Sequence, residues 1–182
     1  MNAIVSILDK HHYQMVEDIW AKLERELAVR GVYNTPYPHF SYQIAQRYDV
    51  EQLELILQHF ASNSTPFPAR TTGLGIFTGS YPILYIPVVR SPELTQFHQV
   101  LWSEISQTGF GIQDSYHSEQ WIPHITIGTG DINKFNLPTI IRSLSKRNFN
   151  WEITINNIAF IHDTGTKQEL RSRFDFKTGG ML

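Results

Sequence analysis

The segment Pro38-His39-Phe40-Ser41-Tyr42 has an echo later in the chain, Pro123-His124-Ile125-Thr126-Ile127. Both copies run proline, histidine, apolar residue, small hydroxyl residue, then an apolar or aromatic residue. The two histidines stand 85 positions apart in a chain of 182 residues. Such spacing restricts the fold to one in which two similar halves each contribute a copy. In an extended strand successive side chains alternate faces. His39 and Ser41 therefore share one face, as do His124 and Thr126. Phe40, Tyr42, Ile125 and Ile127 point the other way, toward packing. If a pseudo-twofold axis relates the halves, two imidazoles and two hydroxyls converge on one cleft.

The rest of the pattern fits two such halves. Ala3 to Leu8 reads as a buried strand, and Val16, Ile19, Trp20, Leu23 and Leu27 follow helical spacing until Gly31 stops the run. His39 to Ile44 reads as a strand and Val50 to Phe60 as a helix. Arg70 to Phe77 and Ile83 to Val89 read as strands joined by the turn Gly79 to Pro82. Ser91-Pro92-Glu93 opens a helix with a capping hydroxyl, a proline in the first turn and an acid near the positive dipole end. Leu94, Phe97, Leu101 and Ile105 give that helix a core face. His124 to Thr129, alternating Trp151, Ile153 and Ile155, the pair Ile158 and Phe160, and Glu169 to Phe176 are strand-like, while Pro138 to Lys146 is helical. Gly31 to Pro38, Thr108 to Gln120 and Gly128 to Asn136 are read as loops.

Hydrophobic residues make up 41% and charged residues 18%, enough for a sizeable core. The absence of cysteine excludes disulfides, a thiolate nucleophile and cysteine-ligated zinc. No signal-like leader or membrane-length apolar run is visible, so a cytoplasmic protein without membrane contact is expected. A net charge of −2 lacks the basic surplus that grips long nucleic acid. DNA is not expected as a partner, and any nucleic-acid substrate is expected to be a small nucleotide or a short RNA end.

An imidazole pair suits phosphodiester chemistry. One ring, neutral, takes a proton from the attacking oxygen, and the other, protonated, gives one to the leaving oxygen. The duplicated signature resembles the paired histidine-x-threonine/serine motifs of the 2H phosphoesterase superfamily, which includes bacterial 2′-5′ RNA ligase-like proteins. The order of elements is similar along nearly the whole chain, with serine standing at position 41 where threonine is common. The resemblance implies an α+β, bilobal fold over residues 1–182, with two similar halves whose antiparallel sheets flank a central cleft and whose helices lie outside. It implies His39 and His124 as catalytic residues and Ser41 and Thr126 as phosphate ligands, with neither metal nor cofactor, in a protein expected to be a monomer. It also implies hydrolysis of a 2′,3′-cyclic phosphate, leaving a 2′-phosphomonoester, or of a 2′-5′ linkage. The alternatives are 2′-5′ RNA ligation and a non-catalytic module that binds RNA ends or phosphorylated nucleotides.

Ordinary explanations cover the remaining candidates. Tyr37 and Trp121 stand at the motif edges, where they could stack on a base, although packing explains them as well. Arg70 and Arg90 could touch phosphate or simply end a strand in solvent. His162-Asp163 and His117 show no metal-ligand spacing. His11, His12, His59 and His98 are assigned to helices, His98 half-exposed. Asp114 to Gln120, with Tyr116 and His117, is read as a surface loop that could rim the cleft.

Overall fold

The computed structural model describes residues 1–177. Strand β1 (Asn2–Ile7) leads into helix α1 (Lys10–Leu27), then β2 (His39–Ala45), the short β3 (Arg47–Tyr48) and α2 (Val50–Ser62). The middle of the chain forms β4 (Phe67–Arg70), β5 (Gly75–Phe77), β6 (Ile83–Pro87), α3 (Pro92–Ile105) and β7 (Gly109–Phe110). After these come β8 (His124–Gly128), α4 (Leu137–Leu144), β9 (Glu152–Ile155), β10 (Asn157–Asp163) and β11 (Gln168–Asp175).

Two antiparallel sheets carry the two motifs: β11-β10-β1-β2 holds His39, and β5-β6-β8 holds His124. The pairs β3-β7 and β4-β9 complete the architecture. The element pattern allows an α/β or an α+β domain, and the structure has the α+β class with antiparallel sheets that the resemblance implies. Ile7 pairs with His39 and Val5 with Ser41 in one sheet; Pro87 pairs with His124 and Tyr85 with Thr126 in the other. Each register then slips by one residue immediately after the hydroxyl residue, leaving Tyr42 and Ile127 without a directly opposed partner. A bulge of this kind bends the strand and re-aims the side chains beside it.

The core lies on the side away from the motif histidines. Phe40, Tyr42, Ile125 and Ile127 are fully buried, together with Leu84, Ile86, Val16, Ile19 and Leu23 of β6 and α1 and Leu94, Leu101 and Ile105 of α3. Ser91 caps α3 as predicted, its hydroxyl accepting from the Leu94 amide at 3.1 Å. No helix among the described residues is long and apolar enough to cross a membrane.

Two readings are corrected. Arg70 to Phe77 is not one strand: Thr71 bridges Val88 alone, and Gly73 (φ 54°) turns the chain so that β4 and β5 join different sheets. Helix α1 is stopped by Ala28 in the left-handed conformation, whose amide returns to the Glu24 and Leu23 carbonyls, rather than by Gly31. Gly31 serves a close approach instead, because a Cβ there would lie 1.8 Å from the Thr129 carbonyl oxygen.

Candidate active site

The strand positions decide where the motif side chains meet. His39, Ser41, His124 and Thr126 line one cleft of about 290 Å³, walled by Trp20, Val32, Tyr37, Ile44, Ile83 and Tyr116. Among the described residues neither the Ser41 nor the Thr126 hydroxyl is engaged by a protein hydrogen bond, so both remain available to a ligand.

The two histidines are held in the same way. His39 Nδ1 bonds the Tyr37 carbonyl at 2.5 Å, and His124 Nδ1 bonds the Ile122 carbonyl at 2.7 Å. A carbonyl only accepts, so each Nδ1 carries the hydrogen and each neutral ring keeps its lone pair on Nε2. In both motifs the accepting carbonyl belongs to the residue before the proline. The proline's own carbonyl pairs with the neighbouring strand, from Leu8 to Pro38 at 3.0 Å and from Val88 to Pro123 at 2.9 Å. Proline fixes φ and biases the preceding residue to extended backbone. The proline in each motif thus belongs to the device that orients the ring.

Packing strips water from the His39 imidazole and pushes its pKa down to about 4, with His124 nearby adding to the depression. His124 is lowered by burial as well, an effect its bond to Ile122 partly offsets. Both shifts favour the neutral form of the rings. The charge on a bound phosphate is what favours protonating one of them.

Each half also braces the other. Trp121 Nε1 donates to the Ser41 carbonyl at 2.8 Å, and Trp20 Nε1 donates to the Thr126 carbonyl at 3.2 Å. Trp121 is only 1% exposed and stacks on His98 at 3.9 Å. This corrects its reading as a base-stacking residue, since no face is left for a ligand. His98 is likewise buried rather than half-exposed. Its Nε2 donates to the Tyr42 carbonyl at 3.0 Å, and burial pushes its pKa down to about 4. The sequence reading missed this brace, and also the buried set in which Ser6 joins the Tyr42 hydroxyl at 2.8 Å while Asn157 bonds both backbone groups of Ile7. The only visible signal was polar residues within apolar strands.

Of the other candidates, Tyr37 and Tyr116 line the cleft, and burial pushes the Tyr116 hydroxyl up to about 12. Arg90 is committed to the Trp121 and Ser118 carbonyls. Arg70 ends β4 in solvent, and His117 sits edge-on to Trp102. Among the described residues no three histidine, aspartate or glutamate side chains gather closely enough to hold a metal ion.

The loops after α1 and β8 meet at the cleft mouth, where Asp131 Oδ2 accepts from the Arg30 and Gly31 amides at 2.5 and 3.1 Å. Gly31→Ala sets its new methyl against backbone that cannot yield. It is expected to lower stability by about 1–3 kcal/mol, read as an earlier urea midpoint; an unchanged midpoint refutes the close-approach account.

The 2′-5′ RNA ligase superfamily matches residues 9–167 of the chain. The chain belongs to this family. A Bacillus cereus protein named "Putative phosphoesterase" is 27% identical over 128 residues, 69% of this chain and 70% of that protein. Two solved structures share the fold of this superfamily member. Thermus thermophilus TT0787 superposes with a TM-score of 0.66 at 14% identity, covering 98% of this chain and 99% of its own. Escherichia coli LigT complexed with 3′-AMP gives 0.59 at 13% identity, covering 97% and 98%.

Proposed function

We propose that this member of the 2′-5′ RNA ligase superfamily is a metal-independent phosphodiesterase that opens 2′,3′-cyclic phosphates of nucleotides or short RNA ends, or cuts 2′-5′ linkages. The observation carrying the reading is the matched pair of imidazoles in one cleft, each with Nδ1 tied to a carbonyl and Nε2 unclaimed. A family of this name, and a similar fold seen with 3′-AMP in E. coli LigT, support a nucleotide substrate.

One neutral Nε2 removes a proton from water, and the water oxygen bonds to phosphorus. The P–O3′ bond breaks, and its oxygen takes a proton from the other, protonated imidazole. The product is a 2′-phosphomonoester. Ser41 and Thr126 donate to the non-bridging oxygens as charge builds on them. The test is turnover of a panel of nucleoside 2′,3′-cyclic phosphates with EDTA present. Activity abolished by EDTA, or no cleavage of cyclic and 2′-5′ linked substrates alike, overturns the proposal.

The depressed pKa values set the pH dependence. The kcat/KM profile reports the free enzyme, whose rings titrate below the usual value of about 6.5 as a coupled pair. A bell with its maximum on the acid side of pH 7 is therefore expected. The kcat profile shifts to higher pH, because bound phosphate favours the protonated ring. Stability changes in the same region. Between about pH 6.5 and 4 the unfolded chain binds protons at positions 39 and 98 that the folded state refuses. The contribution is full above pH 6.5 and is lost as pH falls, so circular dichroism at each pH separates unfolding from the acid limb. A maximum above pH 8 contradicts the assignment.

A further inference from the structure

The two halves correspond position for position in register on the face that carries the motif side chains, yet that face is treated differently in each. In the first sheet the face is formed beside His39 and Ser41 by Ala3, Val5, Ile7, Ala159 and Ile161. All five are buried: Tyr13 and Tyr37 pack against them, and Ile44 and Leu170 flank them from the neighbouring strands of the same sheet. The register puts Ile83, Tyr85, Pro87, Gly75 and Phe77 at the corresponding positions of the second sheet. None of these five is buried. Where one half has aliphatic side chains under a cover, the other has two aromatic rings left partly open.

Those rings are arranged beside the reacting group. Phe77 and Tyr85 stack with centroids 4.2 Å apart, and they lie 4.9 and 5.2 Å from the His124 ring. Gly75 is what lets the Tyr85 ring lie across the sheet, since a Cβ there would sit 2.3 Å from it. Ile83 on the same face also lines the cleft, so face and cleft are continuous. Among the described residues, and apart from His124, the strand positions of this face carry no ionisable group other than the tyrosine hydroxyl, which suits an uncharged flat ligand. The cover on the first half is itself built partly from tyrosine rings.

We infer that the open face of β5-β6-β8, centred on Tyr85 and Phe77, seats the nucleobase of the substrate, so that the ribose phosphate enters the cleft from the His124 side. This rests on the phosphodiesterase reading above. The seat reads a π-face, so it holds any base with modest preference rather than a sequence.

The test compares nucleoside 2′,3′-cyclic phosphates with the 2′,3′-cyclic phosphate of 1-O-methylribose, which has no base. Tyr85→Ala is expected to lower kcat/KM for the nucleoside substrate by about 5- to 100-fold more than for the baseless substrate, and to be rescued by Tyr85→Phe. Equal loss on both substrates, or no loss on either, overturns the seat. Calorimetric titration with a nucleoside 2′-monophosphate and with inorganic phosphate gives a second reading that needs no turnover. Nucleotide binding weakened in Tyr85→Ala with phosphate binding unaffected supports the seat even if the phosphodiesterase reading fails, and equal effects refute it. A change of sedimentation in Tyr85→Ala without loss of nucleotide affinity also refutes it, by showing that the face meets a second copy of the chain.

Discussion

Replacing His39 or His124 with alanine is expected to slow turnover of a 2′,3′-cyclic phosphate by about 10²–10⁴-fold in either case, since each removal deletes one proton transfer. The double variant should be little worse than the single ones, because residues that act as a unit lose their effect together. The fold should survive: both rings sit at a cleft rather than in the main core, and each is held by one backbone bond. Circular dichroism should therefore match the parent while rates collapse. Asparagine at either position preserves some polarity but cannot exchange a proton near neutrality, so it should behave like alanine. Full activity in either alanine variant overturns the two-histidine mechanism, whatever the substrate.

Trp121→Ala is expected to lower stability by about 3–5 kcal/mol, more than Gly31→Ala. The indole is buried, stacks on His98 at 3.9 Å and donates to the Ser41 carbonyl at 2.8 Å. Its removal opens a cavity and leaves that carbonyl without its donor. At roughly 2–4 °C per kcal/mol for a chain of this size, calorimetry should record a fall of about 6–20 °C. Trp121→Phe separates the two contributions, since it keeps most of the volume and loses only the N–H. It should cost about 1–3 kcal/mol and still slow turnover at temperatures where the protein is fully folded, because Ser41 is then less firmly held. A Trp121→Phe protein with unchanged melting temperature and unchanged rate removes the brace from the account.

Much of the site was legible because it depends on period-two geometry, which a short sequence states outright. Histidine and hydroxyl two residues apart in each copy share a face, and the structure brings both faces to one cleft. The helices were legible from their apolar spacing, and the Ser91 cap from local chemistry. What stayed hidden depends on partners far along the chain. Nothing near His98 announces that Trp121 and the Tyr42 carbonyl will enclose it. The slips in register at Tyr42 and Ile127 are properties of paired strands, not of either strand alone. Likewise Gly31 reads locally as a helix stop, and only the Thr129 backbone from the other half reveals what its missing side chain is for.

The pairing order has a consequence for how the protein is made. The sheet that carries His124 joins β5, β6 and β8, and its last residue is Gly128. The sheet that carries His39 places β1 between β2 and β10, so Ala3 waits for Ile161. At 5–20 residues per second on the ribosome, that wait lasts roughly 8–30 s. During it, one edge of an apolar strand, Ala3-Ile4-Val5-Ser6-Ile7, has no neighbour and can pair with any other exposed strand it meets. Nascent chains are thus most open to aggregation, and most in need of a chaperone, until β10 leaves the exit tunnel. The half that bears the proposed base seat can form before β10 is made; the half that bears His39 closes only once β10 is available, so the cleft comes into being after both sheets are complete.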